Sequence, residues 1–482
     1  MGFSGGFKQG KPTKALLELK GYLSVIYRWV KGFMMSNMSL RNLFFYLTIG
    51  CFTLFPVASS GDDSAKALSL KETIDKALEA NLGLKRSQEE VMAAQEIKKS
   101  RITEFLPTLS SSYDYLHRNK ELTQELTGIG PQPEFIVRPD DEYTFVTSFT
   151  QPVFRGFSLI NQYKIADIGL DAAEFGEKVV RQDVILDAKN AYYSVLKAQK
   201  LLGVAEQRVT QIAAQKDVAE NFFEVGMSPL NDLLQAQAWL ANARQDFIVA
   251  KNNLEIAKSQ FNIVLRRRVN APVEIQDILD YAPFVHDIDY CLSTARENRL
   301  EITVTDLEVE IAEKEVRLAR KDYYPSINLT GKYTRIGDEY NVDGGEGISD
   351  AASWDIRATA QWDFWEWGRT TFGIREKLHR LTQAQYRRSE ILDNIDLEVK
   401  TAFLRTKEGE KNIITVEKAI EQAKENFRIN QERFKEQVAT TTDVLDAQTL
   451  LSDTMTNYFN ALYDFKISKA TLFRTMGQEM ME

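Results

Sequence analysis

The side chains that most often do chemistry in proteins are few in this sequence and scattered along it. The three histidines, His117, His286 and His379, lie in separate segments with no common spacing, and there are two cysteines. Metal and acid–base sites need several such side chains at short, defined spacings. The sequence also has no nucleophile motif and no phosphate-binding loop. It therefore predicts neither an enzyme nor a bound metal or cofactor.

Composition narrows the class of protein further. The chain has 482 residues, with 60 Lys+Arg against 69 Asp+Glu and a formal charge of −9. This acidic balance argues against a nucleic-acid partner, because phosphate binding needs a clustered excess of cations. Apolar residues at 44% are typical of a folded protein, and only 11 prolines favour long helices.

Residues 1–60 are predicted to be an N-terminal extension followed by a secretory signal peptide. Arg41 precedes an apolar run over 43–55, and small residues follow before Gly61. The run is shorter than the roughly 20 residues of a transmembrane helix. Cleavage is expected shortly before Gly61. Lipidation at Cys51 is a rival interpretation.

The rest of the chain contains one sequence pattern twice, 211 residues apart. A seam of apolar and small residues steps alternately by four and three in the first copy, and the second copy keeps the same phase. The first seam consists of Val184, Ala188, Ala191, Val195, Ala198, Leu202, Ala205, Val209 and Ile212. The second consists of Ile395, Val399, Ala402, Thr406, Gly409, Ile413, Val416, Ile420 and Ala423. Thr406 and Gly409 are its weak members. This spacing predicts antiparallel helices that pack lengthwise as a coiled coil.

The helices are predicted to be unusually long. No proline occurs between Pro152 and Pro229, and the helical pattern runs from about 157 to 224. A helix of that length extends roughly 100 Å. A globular core has no need of such a helix, whereas a rod or a tube does. Shorter helical stretches at 68–104 and 287–321 precede the two strand regions.

Four short segments, two in each copy, alternate between apolar and polar residues. They predict strands at about 108–117, 143–153, 326–335 and 354–365. Strands of about ten residues with one apolar and one polar face are typical of outer-membrane β-barrels. A soluble antiparallel sheet with one wet face is the alternative. The signal peptide and the charges on the polar face favour the barrel.

The charges on the polar strand face are assigned to a watery barrel lumen. They are Asp355, Arg357, Asp363 and Lys332. Four strands cannot close a barrel, and open sheet edges are not tolerated in lipid. Identical chains are therefore expected to share a barrel of 8, 12 or 16 strands. The polar connections at 118–142 and 336–353 are predicted extracellular loops, and the long helices extend into the periplasm.

Several motifs in a fixed order resemble the TolC-like outer-membrane efflux proteins. The resemblance covers residues 68 to about 478. Its motifs are Phe105-Leu106-Pro107, Tyr323-Tyr324-Pro325, Gln151-Pro152-Val153-Phe154, Val225-Gly226 with Asp232-Leu233-Leu234-Gln235-Ala236-Gln237, and Asp443-Val444-Leu445-Asp446-Ala447-Gln448. The second strand-to-helix turn, Trp362-Asp363-Phe364-Trp365, lacks the proline of the first.

The resemblance implies a mainly α fold with a β-barrel portion, formed by a homotrimer with a 12-stranded barrel and a long helical tunnel. The implied function is an exit duct in the Gram-negative outer membrane for tripartite efflux or type I secretion. The implied partners are a periplasmic adaptor protein, an inner-membrane transporter and outer-membrane lipid. On this basis 61–285 is the first repeat, 286–478 is the second, and 479–482 is a short tail.

The turns that join the long helices are the expected docking sites for the adaptor. The first tip, near 225–230, offers Val225, Gly226, Met227, Ser228 and Pro229. The second tip, near 437–442, offers Val438, Ala439, Thr440 and Thr441. Gly226 suits a left-handed turn, Pro229 suits the first turn of the returning helix, and threonine suits a helix cap. Exposed apolar residues at a tip favour a partner.

Glu432 and Glu436, in the last turns before the second tip, are a candidate periplasmic gate. A ring of acidic residues at a tunnel mouth favours cations and gates the mouth by repulsion. An ordinary solvated helix face is the competing interpretation. Two other classes of protein stay open at this stage: a coiled-coil surface protein without a channel, and an envelope enzyme on a helical scaffold.

Overall fold

The computed structural model describes residues 67–125, 134–278, 281–348, 350–436 and 438–479. The predicted signal peptide, Cys51 and Gln437 lie outside the described residues. The described part of the chain is mostly helical, with a smaller portion of sheet. None of its helices combines the length and the apolar character needed to cross a membrane.

The two sequence copies share a series of two short helices, two main strands and two long helices; the first adds a short hairpin and the second adds a 3-10 turn. The first contains α1 (Leu70–Ala80), α2 (Leu82–Thr103), β1 (Thr108–His117), β2 (Leu122–Glu125), β3 (Glu134–Arg138), β4 (Asp141–Arg155), α3 (Ser158–Glu224) and α4 (Leu230–Val264). The second contains α5 (Ile288–Asn298), α6 (Leu300–Ala319), a 3-10 turn (Arg320–Tyr323), β5 (Ser326–Gly337), β6 (Ala352–Gln361), α7 (Arg369–Lys435) and α8 (Thr441–Thr475).

The long helices of the two copies have identical lengths. Both α3 and α7 contain 67 residues, and both α4 and α8 contain 35. Each long helix of the second copy begins and ends 211 residues after its counterpart, which is the offset of the sequence pattern. The duplication therefore extends to the helix boundaries.

Each shorter helical stretch is interrupted once, which the sequence pattern does not predict. Asn81 ends α1 and begins α2, with ψ at 125° and its side-chain oxygen accepting a hydrogen bond from the backbone N–H of Leu84 at 3.0 Å. Arg299, with ψ at 115°, separates α5 from α6 in the same way. One extended residue is enough to end a helix and turn the chain into the next one.

The predicted seams lie in the core between the long helices. Val195 in α3 and Val399 in α7 are fully buried. The two weak members of the second seam are explained by their contacts. Thr406 is also fully buried, and its hydroxyl donates to the carbonyl of Ala402 at 2.8 Å. A Cβ at Gly409 would lie 3.1 Å from the side chain of Phe465 in α8, so glycine permits close helix approach there.

The four main strands form one antiparallel sheet in the order β1-β4-β5-β6. β1 and β6 are its edges, and their outer sides pair with no other described strand. The connection 118–142, predicted as a loop, contains the separate hairpin β2–β3. The predicted strand 354–365 ends early, at Gln361, although its apolar alternation continues through Trp362 and Phe364.

Both copies enter their long helix through the same unusual turn. Gly156 and Phe157 before α3 have φ of 57° and 66°, and Trp367 and Gly368 before α7 have φ of 52° and 85°. Both copies therefore use two consecutive left-handed residues at equivalent positions. Glycine, which adopts this conformation without strain, takes the first place in one copy and the second in the other.

An aromatic cluster joins the two copies where the sheet meets the helices. The ring of Phe157 lies edge-on to Phe154 at 5.1 Å and to Tyr324 at 5.4 Å, measured between ring centroids. Beside it, the side-chain amide of Gln151 donates to the carbonyl of Phe105 at 2.9 Å. Apart from Phe157, these residues belong to the motifs that carry the family resemblance, so those motifs are structural junctions.

Candidate functional site

The first hairpin tip is a tight turn that leaves apolar side chains in solvent. α3 ends at Glu224, and the N–H of Met227 donates to the carbonyl of Phe222 at 2.7 Å. Gly226 has φ of 74°, as predicted for a left-handed turn. Val225 is 67% exposed and Met227 is 56% exposed. The tip therefore presents an apolar surface with no partner in the described chain.

Pro229 occupies a different position from the one expected. It is the N-cap of α4, with ψ of 155°, and lies immediately before the first helical residue, Leu230, instead of in the first turn. An N-cap residue has extended backbone angles, and proline adopts these without strain. Ser228 beside it is half-buried, and its hydroxyl has no hydrogen-bond partner.

The second tip is held by a capping box. The hydroxyl of Thr440 accepts from the N–H of Asp443 at 3.2 Å, and the carboxylate of Asp443 accepts from the N–H of Thr440 at 2.8 Å. The bonds from the Thr440 backbone and hydroxyl lower the pKa of Asp443. Val438 is 66% exposed, and Ala439 is half-buried. Thr441 is only 2% exposed, so this predicted contact residue does not reach the surface.

The two tips contact each other, which the sequence analysis did not predict. The rings of Phe222 in α3 and Phe434 in α7 lie 5.6 Å apart between centroids, and Phe434 is buried. The hydroxyl of Thr442 donates to the side-chain oxygen of Gln235 in α4 at 2.8 Å. The only signal in the sequence was an aromatic residue near equivalent positions of both copies. These contacts fix the position of one tip relative to the other.

The candidate gate residues differ in their surroundings. Glu432 forms an ion pair with Lys435 at 2.9 Å. Glu436 is the C-cap of α7 and is exposed, with no ion pair in the described part of the chain. Arg428 is engaged by Glu425 at 2.7 Å, one turn before Glu432. Positive charges therefore accompany the acids at this tip, and Glu436 is the less compensated of the two candidates.

Three of the four predicted lumen residues share one face of the sheet. Lys332 in β5 lies directly opposite Asp355 in β6, and Arg357 lies opposite Thr330. The same transverse row continues through Ser148 and Ser110, whose hydroxyls are 2.8 Å apart. Asp363 lies beyond the end of β6, so it does not share this face as a strand residue. The opposite face carries Phe149, Ile356 and Trp354.

A partly buried ionic network joins the two copies away from the tips, near the C-terminal end of α8. Glu301 in α6 accepts from Arg299 at 2.9 Å and from Arg474 in α8 at 2.7 Å. Arg474 also donates to Asp183 in α3 at 2.8 Å. Burial favours a higher pKa for Glu301, but the charges of Arg299 and Arg474 outweigh burial and lower its pKa.

The described chain combines paired helices of 67 and 35 residues with an amphipathic four-stranded sheet that has two open edges. The model of the family described as "Outer membrane efflux protein" matches residues 73–262 and 291–478. The chain belongs to this outer membrane efflux protein family. The predicted resemblance is thereby confirmed. The family consists of channels and not of enzymes.

Individual proteins of the same kind are similar over most of their length. Outer membrane protein TolC of Salmonella enteritidis is 23% identical over 437 residues, covering 86% of this chain and 82% of TolC. Alkaline protease secretion protein AprF of Pseudomonas aeruginosa is 23% identical over 451 residues, covering 90% and 88%. The crystal structure of the Campylobacter jejuni CmeC outer membrane channel has a TM-score of 0.72 at 16% identity, covering 85% of each chain.

The family and its relatives define what the chain does. It is an exit duct of the outer membrane for efflux or type I secretion, with its long helices in the periplasm. The predicted function and location are confirmed.

Proposed function

We propose that three copies of this chain close a 12-stranded barrel that continues into a helical tunnel. The proposal depends on the two edge strands of the four-stranded sheet, β1 and β6, whose outer sides are unpaired within the described chain. Because the sheet is antiparallel and has an even number of strands, β1 and β6 run in opposite directions. The β6 of one copy can therefore pair with the β1 of the next in the same antiparallel pattern, which removes every edge.

The surface of the long helices supports lateral packing of copies. In α4, Val249, Ile256 and Ile263 recur every seven residues and are exposed. In α7, Leu397 and Leu404 are exposed at the same interval. A seven-residue apolar repeat is the seam of a coiled coil, and these two seams have no partner within the described chain. A neighbouring copy on each side would cover both.

The remaining assignments follow from this assembly. The polar face with Lys332, Asp355 and Arg357 lines the barrel lumen, and the opposite face contacts outer-membrane lipid. We place the two repeats at 61–285 and 286–478 and the tail at 479–482. The alternative of 8 or 16 strands requires two or four copies, which the resemblance to TolC-like trimers disfavours.

The exposed tip residues dock a periplasmic adaptor, which links the duct to an inner-membrane transporter. Val225, Gly226, Met227, Pro229 and Val438 form this surface, and Ser228, Ala439 and Thr440 shape it from the side. Thr441 supports the tip from inside. Glu432 and Glu436 then lie at the periplasmic mouth, where they act as a gate.

Native mass spectrometry of the full chain in detergent tests the assembly. We expect the mass of three chains, and we expect Ile256→Asp to shift the protein toward monomers because it places a charge in the helix seam. Lys251→Asp, at an exposed position of the same helix outside the seam, is the matched control and should leave the trimer intact. A wild-type mass of one, two or four chains would overturn the 12-stranded barrel.

A further inference from the structure

The strand ends beside the β2–β3 hairpin bring together three side chains of metal-ligating type. His117 ends β1, and Asp141 begins β4 directly opposite it in the antiparallel register. Asp140 is the preceding residue. One ligand atom from each of the three lies within 4.8 Å of the other two. The duct function described above uses none of these residues.

The two carboxylates have no cation to balance them. Within the described part of the chain, neither Asp140 nor Asp141 forms an ion pair with lysine or arginine. Arg138, two residues before Asp140, forms no ion pair with either carboxylate in that part. Arg118, next to His117, is engaged by Glu142 at 2.8 Å and by the carbonyl of Pro139 at 3.3 Å. Two carboxylates this close repel each other, and a bound cation relieves the repulsion.

Strand pairing fixes the positions of the three residues. The N–H of Arg118 donates to the carbonyl of Asp140 at 2.7 Å and closes the base of the hairpin. Nδ1 of His117 and the hydroxyl of Tyr115 both lie 2.8 Å from the same carboxylate oxygen of Asp141. Such a hydroxyl contact orients a ligating carboxylate, as partners outside the ligand set do in metalloproteins.

The donor set selects the class of metal. One imidazole nitrogen and two carboxylate oxygens suit Zn²⁺, whereas Ca²⁺ takes six to eight oxygen ligands. At Zn–ligand distances of about 2.0–2.2 Å, tetrahedral ligand atoms lie about 3.3–3.6 Å apart. Nδ1 of His117 and the Asp141 oxygen, now 2.8 Å apart, would separate slightly, and the Asp140 carboxylate, within 4.8 Å of both, would move to complete the set. His117 and Asp140 are exposed and Asp141 is half-buried, which leaves room for this movement and for a water as fourth ligand.

We propose that His117, Asp140 and Asp141 bind one Zn²⁺ ion per chain. The ion ties β1 to β4 at the base of the β2–β3 hairpin and so restrains the loop that the hairpin forms. The site needs only the strands of a single chain, and its test is independent of the trimer and of the adaptor.

Isothermal titration of the full-length protein, stripped with a chelator and kept in detergent, tests the site with ZnCl₂ as the probe. We expect about one Zn²⁺ per chain, and at least a tenfold loss of affinity in His117→Ala and in Asp140→Asn. His379→Ala, which removes an exposed histidine from α7, is the matched control and should bind as the wild type does. Hydrogen exchange at the amides of β2 and β3 should slow on adding Zn²⁺ to the wild type but not to the His117 variant.

Three results would overturn the proposal. They are no Zn²⁺ binding at 100-fold excess, unchanged binding in the His117 variant, and an equal affinity for Ca²⁺. If His117→Ala does not fold, Asp140→Asn carries the same test because it leaves the contact between His117 and Asp141 in place. Equal loss in the His379 variant would show an unspecific effect and would also count against the site.

Discussion

At the scale of single residues, the strand-to-helix junction depends on backbone conformation more than on side-chain chemistry. Gly156 and Phe157 in one copy, and Trp367 and Gly368 in the other, form the same pair of left-handed residues. A left-handed conformation costs a residue other than glycine roughly 1–2 kcal/mol. The aromatic contacts of Phe157 with Phe154 and Tyr324 offset that cost in the first copy.

Replacing Gly156 by alanine should destabilise the fold. The substitution adds the left-handed penalty of roughly 1–2 kcal/mol. A Cβ at this position would also overlap the backbone carbonyl of Lys321, which cannot move as a side chain does. Gly169, inside α3 with nothing within 4 Å of a Cβ, is the control: alanine there should stabilise the helix by about 0.5–1 kcal/mol. Thermal unfolding followed by circular dichroism compares the two, and equal midpoints would contradict this account.

The gate assignment makes a prediction about single charges. Glu436 is exposed without an ion pair in the described chain, whereas Glu432 is paired with Lys435. Glu436→Gln should therefore reduce the preference of the channel for cations more than Glu432→Gln does. Single-channel recordings in a planar bilayer measure both. If the double variant keeps the conductance and the ion selectivity of the wild type, neither residue is part of a gate.

At the scale of elements, the hairpin tips combine a rigid turn with an exposed apolar surface. Gly226 and the capping box of Thr440 fix the turns, and the contact between Phe222 and Phe434 holds them side by side. Exposed apolar residues on a rigid support lose little conformational entropy when a partner covers them. The tips are therefore suited to docking in a way that a mobile loop is not.

Met227→Asp combined with Val438→Asp should abolish adaptor binding without unfolding the duct. Both side chains are exposed, so the new charges cost little in the free protein but must be desolvated against an apolar partner. Cross-linking in cells, followed by purification of the duct, should recover a periplasmic protein with the wild type and not with this variant. Val285→Asp, at an exposed position next to α5, is the control. Recovery of the same protein with the tip variant would exclude the tips as the docking surface.

The sequence predicts correctly those elements in which buried residues recur at a regular spacing. The seams place Val195 and Val399 correctly because buried positions on packed helices must recur every three to four residues. The breaks at Asn81 and Arg299 are absent from that pattern, since a single extended residue leaves the periodicity on both sides intact. The predicted end of β6 lies beyond the observed end at Gln361, because Trp362 and Phe364 continue the apolar alternation after the backbone has left the sheet.

The candidate site was predicted less completely than the fold. The turn at Gly226 follows from glycine itself, but the burial of Thr441 depends on how α8 is rotated against its neighbours. The contact of Phe222 with Phe434 depends on which helices lie side by side, and one sequence does not contain that information. The cluster of His117 with Asp140 and Asp141 needs the register of β1 with β4, which the sequence leaves open.

At the scale of the whole molecule, the two copies contact each other at two separate places along their long helices. The aromatic pair joins them at the tips, and the ion pair of Arg474 in α8 with Asp183 in α3 joins them near the C-terminal end of α8. Glu301 also pairs with Arg474 and with the buried Arg299, and neither arginine can lose its acidic partner without cost.

This network predicts how stability depends on pH. The pKa of Glu301 is lower in the folded chain than in the unfolded chain, so its contribution is present above the unfolded pKa of about 4.3 and is lost as the pH falls through the folded pKa. The unfolding midpoint should therefore drop on acidification below that range. Glu301→Gln should lower the unfolding midpoint at pH 7. On acidification, the midpoint of this variant should then fall less than that of the wild type. In the control variant Glu96→Gln, at an exposed residue, the unfolding midpoint should fall on acidification as much as it does in the wild type.

The equal lengths of α3 and α7 restrict how this protein can vary. Seven residues inserted into α3 alone would shift its tip by about 10 Å along the tunnel axis and separate Phe222 from Phe434. The same insertion in α3 and α7, matched by one in each returning helix, α4 and α8, would keep the tip contact and lengthen the tunnel by a full heptad. Insertions and deletions in these helices must therefore be matched between the two copies, and the distance the duct spans across the periplasm changes in steps.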